Sequence, residues 1–171
     1  MRRSFYLLIA AIVVVLDQLS KWAVLARLSP EDSHAVIPGL FNLVRVENPG
    51  IAFGLLAGLS LSMGLILIIA VSAATLALLT FLLWRSPVAA TRSNVAFALI
   101  LGGAAGNLID RLFRGKVVDF LDVYLRDYHW PAFNVADSAI CIGAGLLLLD
   151  LIFGHPAGQP SKQQWAGHEQ H

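Results

Sequence analysis

The sequence predicts an all-α membrane protein of four transmembrane helices. Three observations carry this. Of 171 residues, 57% are apolar and only 13% charged, against about 25% charged in an ordinary soluble domain. The mean hydropathy is +0.72. Four apolar stretches are long enough to cross a hydrocarbon core about 30 Å thick at about 1.5 Å per residue. This composition excludes a water-soluble globular domain and a disordered chain. The net charge of +1 leaves no basic face for nucleic acid. A single cysteine, Cys141, excludes an intramolecular disulfide framework and any multi-thiolate metal site.

The first span covers about residues 5–25. It is unbroken from Phe5 to Leu16 and then meets Asp17, Gln18, Ser20 and Lys21, which must sit near its far end. Arg2-Arg3 and Val24-Leu25-Ala26 give this segment some likeness to a cleavable or twin-arginine signal. Asp17 and Lys21 fall where such a signal is apolar, and three spans follow, so the reading is a retained helix. The second span covers about 58–84, free of charge from Asn48 to Trp84 and stopped by Arg85-Ser86-Pro87. The third covers about 94–110 and ends at Asp110-Arg111. The fourth covers about 135–153, with Asp137 in its first turn and Gly154 and Pro156 beyond it. Residues 1–154 thus form one four-helix unit, and 155–171 a polar tail expected to be disordered.

Two connections stand out. Between spans one and two, Arg45 and Glu47 alternate with Val44 and Val46, a period of two that predicts a short strand or hairpin at the membrane surface. The connection from Arg111 to Phe133 is charged and aromatic, which suits the interface. Orientation stays open at this point. With the N-terminus inside, the inner segments hold Arg2, Arg3, Arg85, Arg92 and Lys162. The outer ones hold Lys21, Arg27, Arg45, Arg111, Arg114, Lys116 and Arg126. That count opposes N-in, whereas Arg2-Arg3 ahead of the first span favour it.

Whichever way the chain points, its polar residues converge. Alternating helix directions place Asp17, Asn107, Asp110, Arg111, Asn134 and Asp137 at one membrane edge, with Asn48 and Asp119 in the connections on that side. Only Asp150 lies apart. Charges near hydrocarbon cost several kcal/mol each, so such a layer faces a polar cavity or its own partners. Asn107 shares a helix face with Asp110 and Arg111. Gly102, Gly103 and Gly106 allow a neighbouring backbone close. None of the five histidines forms a ligand spacing with another His or Cys, so no metal is expected. Ser20, Ser138 and Cys141 lack a base at a diagnostic spacing. Two carboxylates sharing a proton remain, able to act as acid and base on a water. Such a pair serves amide hydrolysis or proton transport equally well. A proton-coupled transporter using Asp17, Asp110 and Asp137, or a non-enzymatic assembly factor, remains open on these residues alone.

Asp17-Gln18-Leu19-Ser20-Lys21, Asn48-Pro49-Gly50-Ile51-Ala52-Phe53-Gly54, the run Gly102 to Arg111, Val117-Val118-Asp119-Phe120 and Phe133-Asn134-Val135-Ala136-Asp137-Ser138 together resemble the ordered motif set of bacterial lipoprotein signal peptidase, or signal peptidase II. The resemblance covers Phe5 to Phe153. It implies a metal-free membrane aspartic peptidase without cofactor, both termini cytoplasmic, in the inner membrane with its active site toward the outer side. The catalytic pair it implies is Asp119 and Asp137. Asp17, Lys21, Asn48, Gly50, Asn107, Asp110, Arg111, Asn134 and Ala136 match lining or supporting positions. The segment around Phe41 to Asn48 corresponds to a small β cradle at the outer membrane surface. Pro49-Gly50-Ile51 departs from the frequent Thr-Gly-Ala, so a threonine hydroxyl contact there is missing. The implied partners are the bilayer and diacylglyceryl-modified prolipoproteins, cut on the N-terminal side of the lipidated cysteine, by a monomer. Further expectations are an Asp110–Arg111 ion pair that positions a loop, a Lys21 that snorkels to head groups and a small buried Cys141. Trp22, Trp130 and Tyr124 are expected as interface anchors.

Overall fold

The computed structural model describes residues 3–30, 32–50, 60–86 and 91–153. Four long helices account for most of them: α1 Arg3–Arg27, α2 Leu61–Arg85, α3 Thr91–Arg114 and α4 Val135–Phe153. All four are long and apolar enough to cross a membrane. The start of the second span near Gly58, and the tail expected over 155–171, lie outside the described residues. The third helix differs from expectation at both ends. It begins three residues earlier than Asn94 and runs on through Asp110-Arg111 to Arg114. A charged pair ends a helix where it must escape into water. Here Asp110 is fully buried and already paired, so the helix continues beneath it.

The strand expected at Phe41 to Asn48 is present and has more neighbours than its sequence announces. Strands β1 Ser33–Ile37, β2 Phe41–Asn48, β3 Val117–Leu125 and β4 Tyr128–His129 form an antiparallel sheet in that order. The second connection therefore supplies the central partner of β2, which the sequence reading did not assign. In the register, Asn48 faces Val117 and Val46 faces Asp119. The chain ahead of α4 is stitched to β3 through Phe133, whose carbonyl accepts the Phe120 and Leu121 amides at 3.0 and 2.8 Å. That seam brings Asn134 alongside Val118 and Asp119.

Helix α3 is the hub, packed on α1, α2 and α4. Small residues make this possible. A Cβ on Gly103 would lie 2.4 Å from the Ala136 carbonyl oxygen of α4, and one on Gly106 would lie 2.6 Å from the Asp17 carboxylate of α1. At the sheet end, Val24 and Leu28 pack on Val118 and Phe120. At the opposite end, Tyr6, Leu83 and Ala98 hold α1, α2 and α3 together, and the Arg3 guanidinium donates to the Trp84 carbonyl at 2.8 Å.

Burial is inverted relative to a soluble bundle. Met63, Ile66, Leu67, Val71, Leu78, Phe81 and Trp84 on α2 point outward, while Asp17, Lys21, Asn107, Asp110, Asp119 and Asn134 are buried. Lipid tails accept the former at no cost. The latter must find partners within the protein. Cys141 follows the same rule and corrects an expectation: it is exposed on α4, because an apolar side chain facing lipid needs no core.

Candidate active site

The buried polar side chains form one connected network at the sheet end of the bundle. Its base is ionic. Lys21 is 0% exposed, and its ammonium reaches Asp17 Oδ2 at 2.8 Å, Asp110 Oδ2 at 2.9 Å and Asn107 Oδ1 at 2.9 Å. Three N–H donors thus meet three oxygens, which is what makes a buried lysine tolerable. This corrects the snorkelling expectation: Lys21 points into the bundle because Asp17, one turn earlier on α1, and Asp110 on α3 both lie there. Asp17 also accepts the Ala136 amide at 2.9 Å, tying α1 to the first turn of α4. Asp110 accepts the Val118 amide at 3.3 Å and pairs with Arg114.

The expected Asp110–Arg111 ion pair is therefore not formed; Lys21 and Arg114 take that place. Neighbours on a helix point about 100° apart, whereas positions four apart share a face. Arg111 turns the other way. It donates to the Asn107 carbonyl at 3.2 Å, and its charge acts first on Asp137, then on Asp119 and Asp110. Gly50 lies beside it at φ +81°, a left-handed conformation that disfavours a side chain.

Above this base sit two carboxylates held by three asparagines. Asn134 caps α4 reciprocally with Asp137. Its Oδ1 accepts the Asp137 amide at 2.9 Å, and its own amide donates to Asp137 Oδ2 at 3.2 Å. The Asn134 Nδ2 donates to Asp119 Oδ1 at 2.7 Å, so one residue links both acids, through its backbone amide to one and its side chain to the other. Asn107 Nδ2 donates to Asp137 Oδ1 at 2.8 Å. Asn48 Nδ2 donates to Asp119 Oδ2 at 3.2 Å, while its Oδ1 accepts the Gly50 amide at 2.8 Å. Residues from β2, β3, α3 and α4 therefore converge on the two acids. Burial and then the charge of Asp137 push the Asp119 carboxyl up to about 6, against the opposing pull of Asn48, Asn134 and Lys21.

All the sequence-selected residues, Asp17, Lys21, Asn48, Gly50, Asn107, Asp110, Arg111, Asp119, Asn134, Ala136 and Asp137, meet in or beside this network. Two participants were missed. Gln18 donates to Asp17, to the Gly106 carbonyl and to Asp110 at 3.1, 3.1 and 3.2 Å. Arg114 pairs with Asp110 and donates to Gln18 at 3.4 Å. The spacing of four between Asp110 and Arg114 was the available signal for the second. On the outer part of the sheet, Glu47 pairs with Lys116 and with Arg45, which hold its carboxyl below the usual range. Arg45 also donates to the Leu28 carbonyl at 2.8 Å, fastening β2 to the end of α1. Among the described residues, no group of three or more His, Cys, Asp or Glu is arranged to hold a metal ion. The arrangement offers paired acids of unequal environment, which can give and take one proton around a bound water.

Comparison with known proteins converges on one family. The family model for signal peptidase (SPase) II matches residues 9–153. A lipoprotein signal peptidase of Syntrophotalea carbinolica is 49% identical over 143 residues, 84% of this chain and 88% of its own. That of Solibacter usitatus is 44% identical over 144 residues, again 84% and 88%. A bacterial membrane enzyme solved by the in meso method at 1.9 Å resolution superposes with a TM-score of 0.79 at 32% identity, covering 89% of this chain and 95% of that one. With a match spanning all four helices and both strand-bearing connections, the chain belongs to the signal peptidase II family.

Proposed function

We propose that this chain is a membrane aspartic endopeptidase that removes signal peptides from diacylglyceryl-modified prolipoproteins, cutting on the N-terminal side of the lipidated cysteine. The observation that carries the chemistry is the Asp119–Asp137 pair, linked through Asn134 and with Asp119 titrating near 6. One carboxylate, ionised, takes a proton from water as its oxygen bonds to the scissile carbonyl carbon. The other, protonated, gives its proton to the carbonyl oxygen. In the second half the gem-diol collapses, the C–N bond breaks, and the amine leaves with the proton that the first carboxyl acquired. The gem-diol hydroxyl returns a proton to the second carboxylate, so the pair ends with the single proton it began with.

The lipid-facing exterior brings this chemistry to a lipidated substrate, which arrives laterally within the bilayer. In this reading both termini are cytoplasmic, and the sheet lies at the outer surface of the inner membrane, clamping the substrate over the acids. Arg2-Arg3 ahead of α1 support that orientation. So do the partners of the outer basic residues: Lys21, Arg45, Arg114 and Lys116 are each paired with a carboxylate of the site or the sheet. Their placement answers to the site. The test is to incubate the purified protein in detergent with a diacylglyceryl-modified prolipoprotein and with its unmodified form. Mass spectrometry is expected to find one cut, before the lipidated cysteine, and an intact unmodified substrate. Equal cutting of both forms, or of neither, contradicts the reading.

A further inference from the structure

We infer that Lys21 is a positioning residue for Asp137, acting through the Asn107 side chain by fixing which end of its amide faces the carboxylate. This rests on the reading of Asp137 as one of the two reacting acids. The argument is one of hydrogen-bond polarity. A carboxamide has an accepting end and a donating end of nearly equal size, so packing alone selects neither. The Lys21 ammonium can only donate, and it lies 2.9 Å from Asn107 Oδ1. It is fully buried, and its other two donors are committed to Asp17 and Asp110 at 2.8 and 2.9 Å. The oxygen of Asn107 must therefore face Lys21. The nitrogen must then face Asp137, to which it donates at 2.8 Å. A second donor reinforces this choice, because Asn134 Nδ2 approaches the same oxygen at 3.3 Å.

A flipped Asn107 would set its oxygen against a carboxylate oxygen and leave the ammonium facing an NH2 group. Both contacts are repulsive in a buried site. The lysine thus does more than neutralise Asp17 and Asp110. It transmits a fixed dipole from α1 across α3 to α4, holding Asp137 in the geometry that Asn134 shares with Asp119. The charged groups that bear on this relay are Asp17 and Lys21 from α1, Asp110 and Arg111 from α3, Asp119 from β3 and Asp137 itself.

A double-mutant cycle tests the inference, with kcat, KM and melting temperature measured for Lys21→Gln, Asn107→Ala and the pair. Lys21→Gln alone is expected to lower kcat on the order of hundredfold with KM nearly unchanged, as misplaced reacting groups do. In the Asn107→Ala background the same change is expected to cost no further kcat, although its effect on melting temperature persists. Additive losses in kcat would assign Lys21 a merely structural role and overturn the inference. If Lys21→Gln does not fold, Asn107→Asp decides. It keeps an oxygen toward Lys21, but it replaces the donor to Asp137 with a carboxyl. A kcat loss on the order of hundredfold is expected, with the alkaline limb of the pH–rate profile moved upward by about one unit. Wild-type kcat and an unmoved profile in Asn107→Asp would overturn the inference, leaving the acid pair intact if Asp137→Asn is inactive. Turnover by Asp137→Asn would remove its premise.

Discussion

Asp119 is the residue whose environment makes the sharpest quantitative statement. Burial and the neighbouring Asp137 hold its proton up to about 6. In the proposed mechanism the two acids work while holding one proton between them. Since a raised pKa means that this proton is retained on the acid side and lost as pH rises, kcat/KM is expected to fall on the alkaline side. The midpoint should lie near pH 6, because kcat/KM reports the free enzyme. A profile flat from about pH 5 to 9 would contradict the pair. At the same scale, Asp17→Leu leaves Lys21 short of one acceptor and the Ala136 amide without its own. A loss of about 3–5 kcal/mol is expected from breaking a buried pair, read as a lower melting temperature in detergent.

The residues were more legible than their partners. The polar layer follows from helix direction alone, since alternating spans bring Asp17, Asp110 and Asp137 to one membrane edge. What the sequence could not supply was the direction of each side chain around its helix. A lysine near the end of an apolar span reads as interfacial until Asp110 is known to lie beside it. Arg111 reads as a partner of its neighbour Asp110 until helix geometry turns the two apart. Cys141 was placed in the core on the strength of being apolar, a property that lipid satisfies equally.

Among the elements, α3 carries the tightest constraint, because α1 and α4 both rest on its small residues. A Cβ at Gly103 would collide with the Ala136 backbone as well as with Ile140 Cγ1, and backbone cannot give way as a flexible side-chain end can. Gly103→Ala is therefore expected to push the first turn of α4, with Asp137, away from α3. A destabilisation of about 1–3 kcal/mol is expected, with a larger fractional loss of kcat than of substrate affinity. Unchanged kcat in a folded Gly103→Ala protein would show that α4 tolerates the shift. The helices themselves were readable because each is a long apolar run. The sheet was readable only in part. β2 alternates Val44, Arg45, Val46 and Glu47, whereas β3 is buried on both faces from Val117 to Phe120 and carries its acids at 119 and 122. Burial on both faces removes the alternation that reveals a strand.

At the scale of the whole molecule, a charged interior inside an apolar exterior makes the bilayer part of the fold. The inner network is fully buried at the level of Lys21 and opens toward the sheet, where Glu47, Arg45 and Lys116 are partly exposed. The proposed orientation predicts that a cysteine at Asp127, in the β3–β4 turn, reacts with a membrane-impermeant maleimide from the outer side of intact spheroplasts in a Cys141→Ser background. Labelling only after the membrane is opened would invert the topology. The charge count alone left the orientation open, because basic residues that serve the site are counted alongside those that serve insertion; only the resemblance implied a direction.

In the proposed reaction Asp119 and Asp137 together perform a metal-independent hydrolysis. The most direct measurement compares wild type, Asp119→Asn and Asp137→Asn on a diacylglyceryl-modified prolipoprotein, with and without chelator. Cleavage by the wild type is expected, unchanged by chelator. Turnover is expected to be lost in both variants, which still fold and bind substrate. Substantial turnover by either variant, or a wild type silenced by chelator, would contradict the proposed reaction.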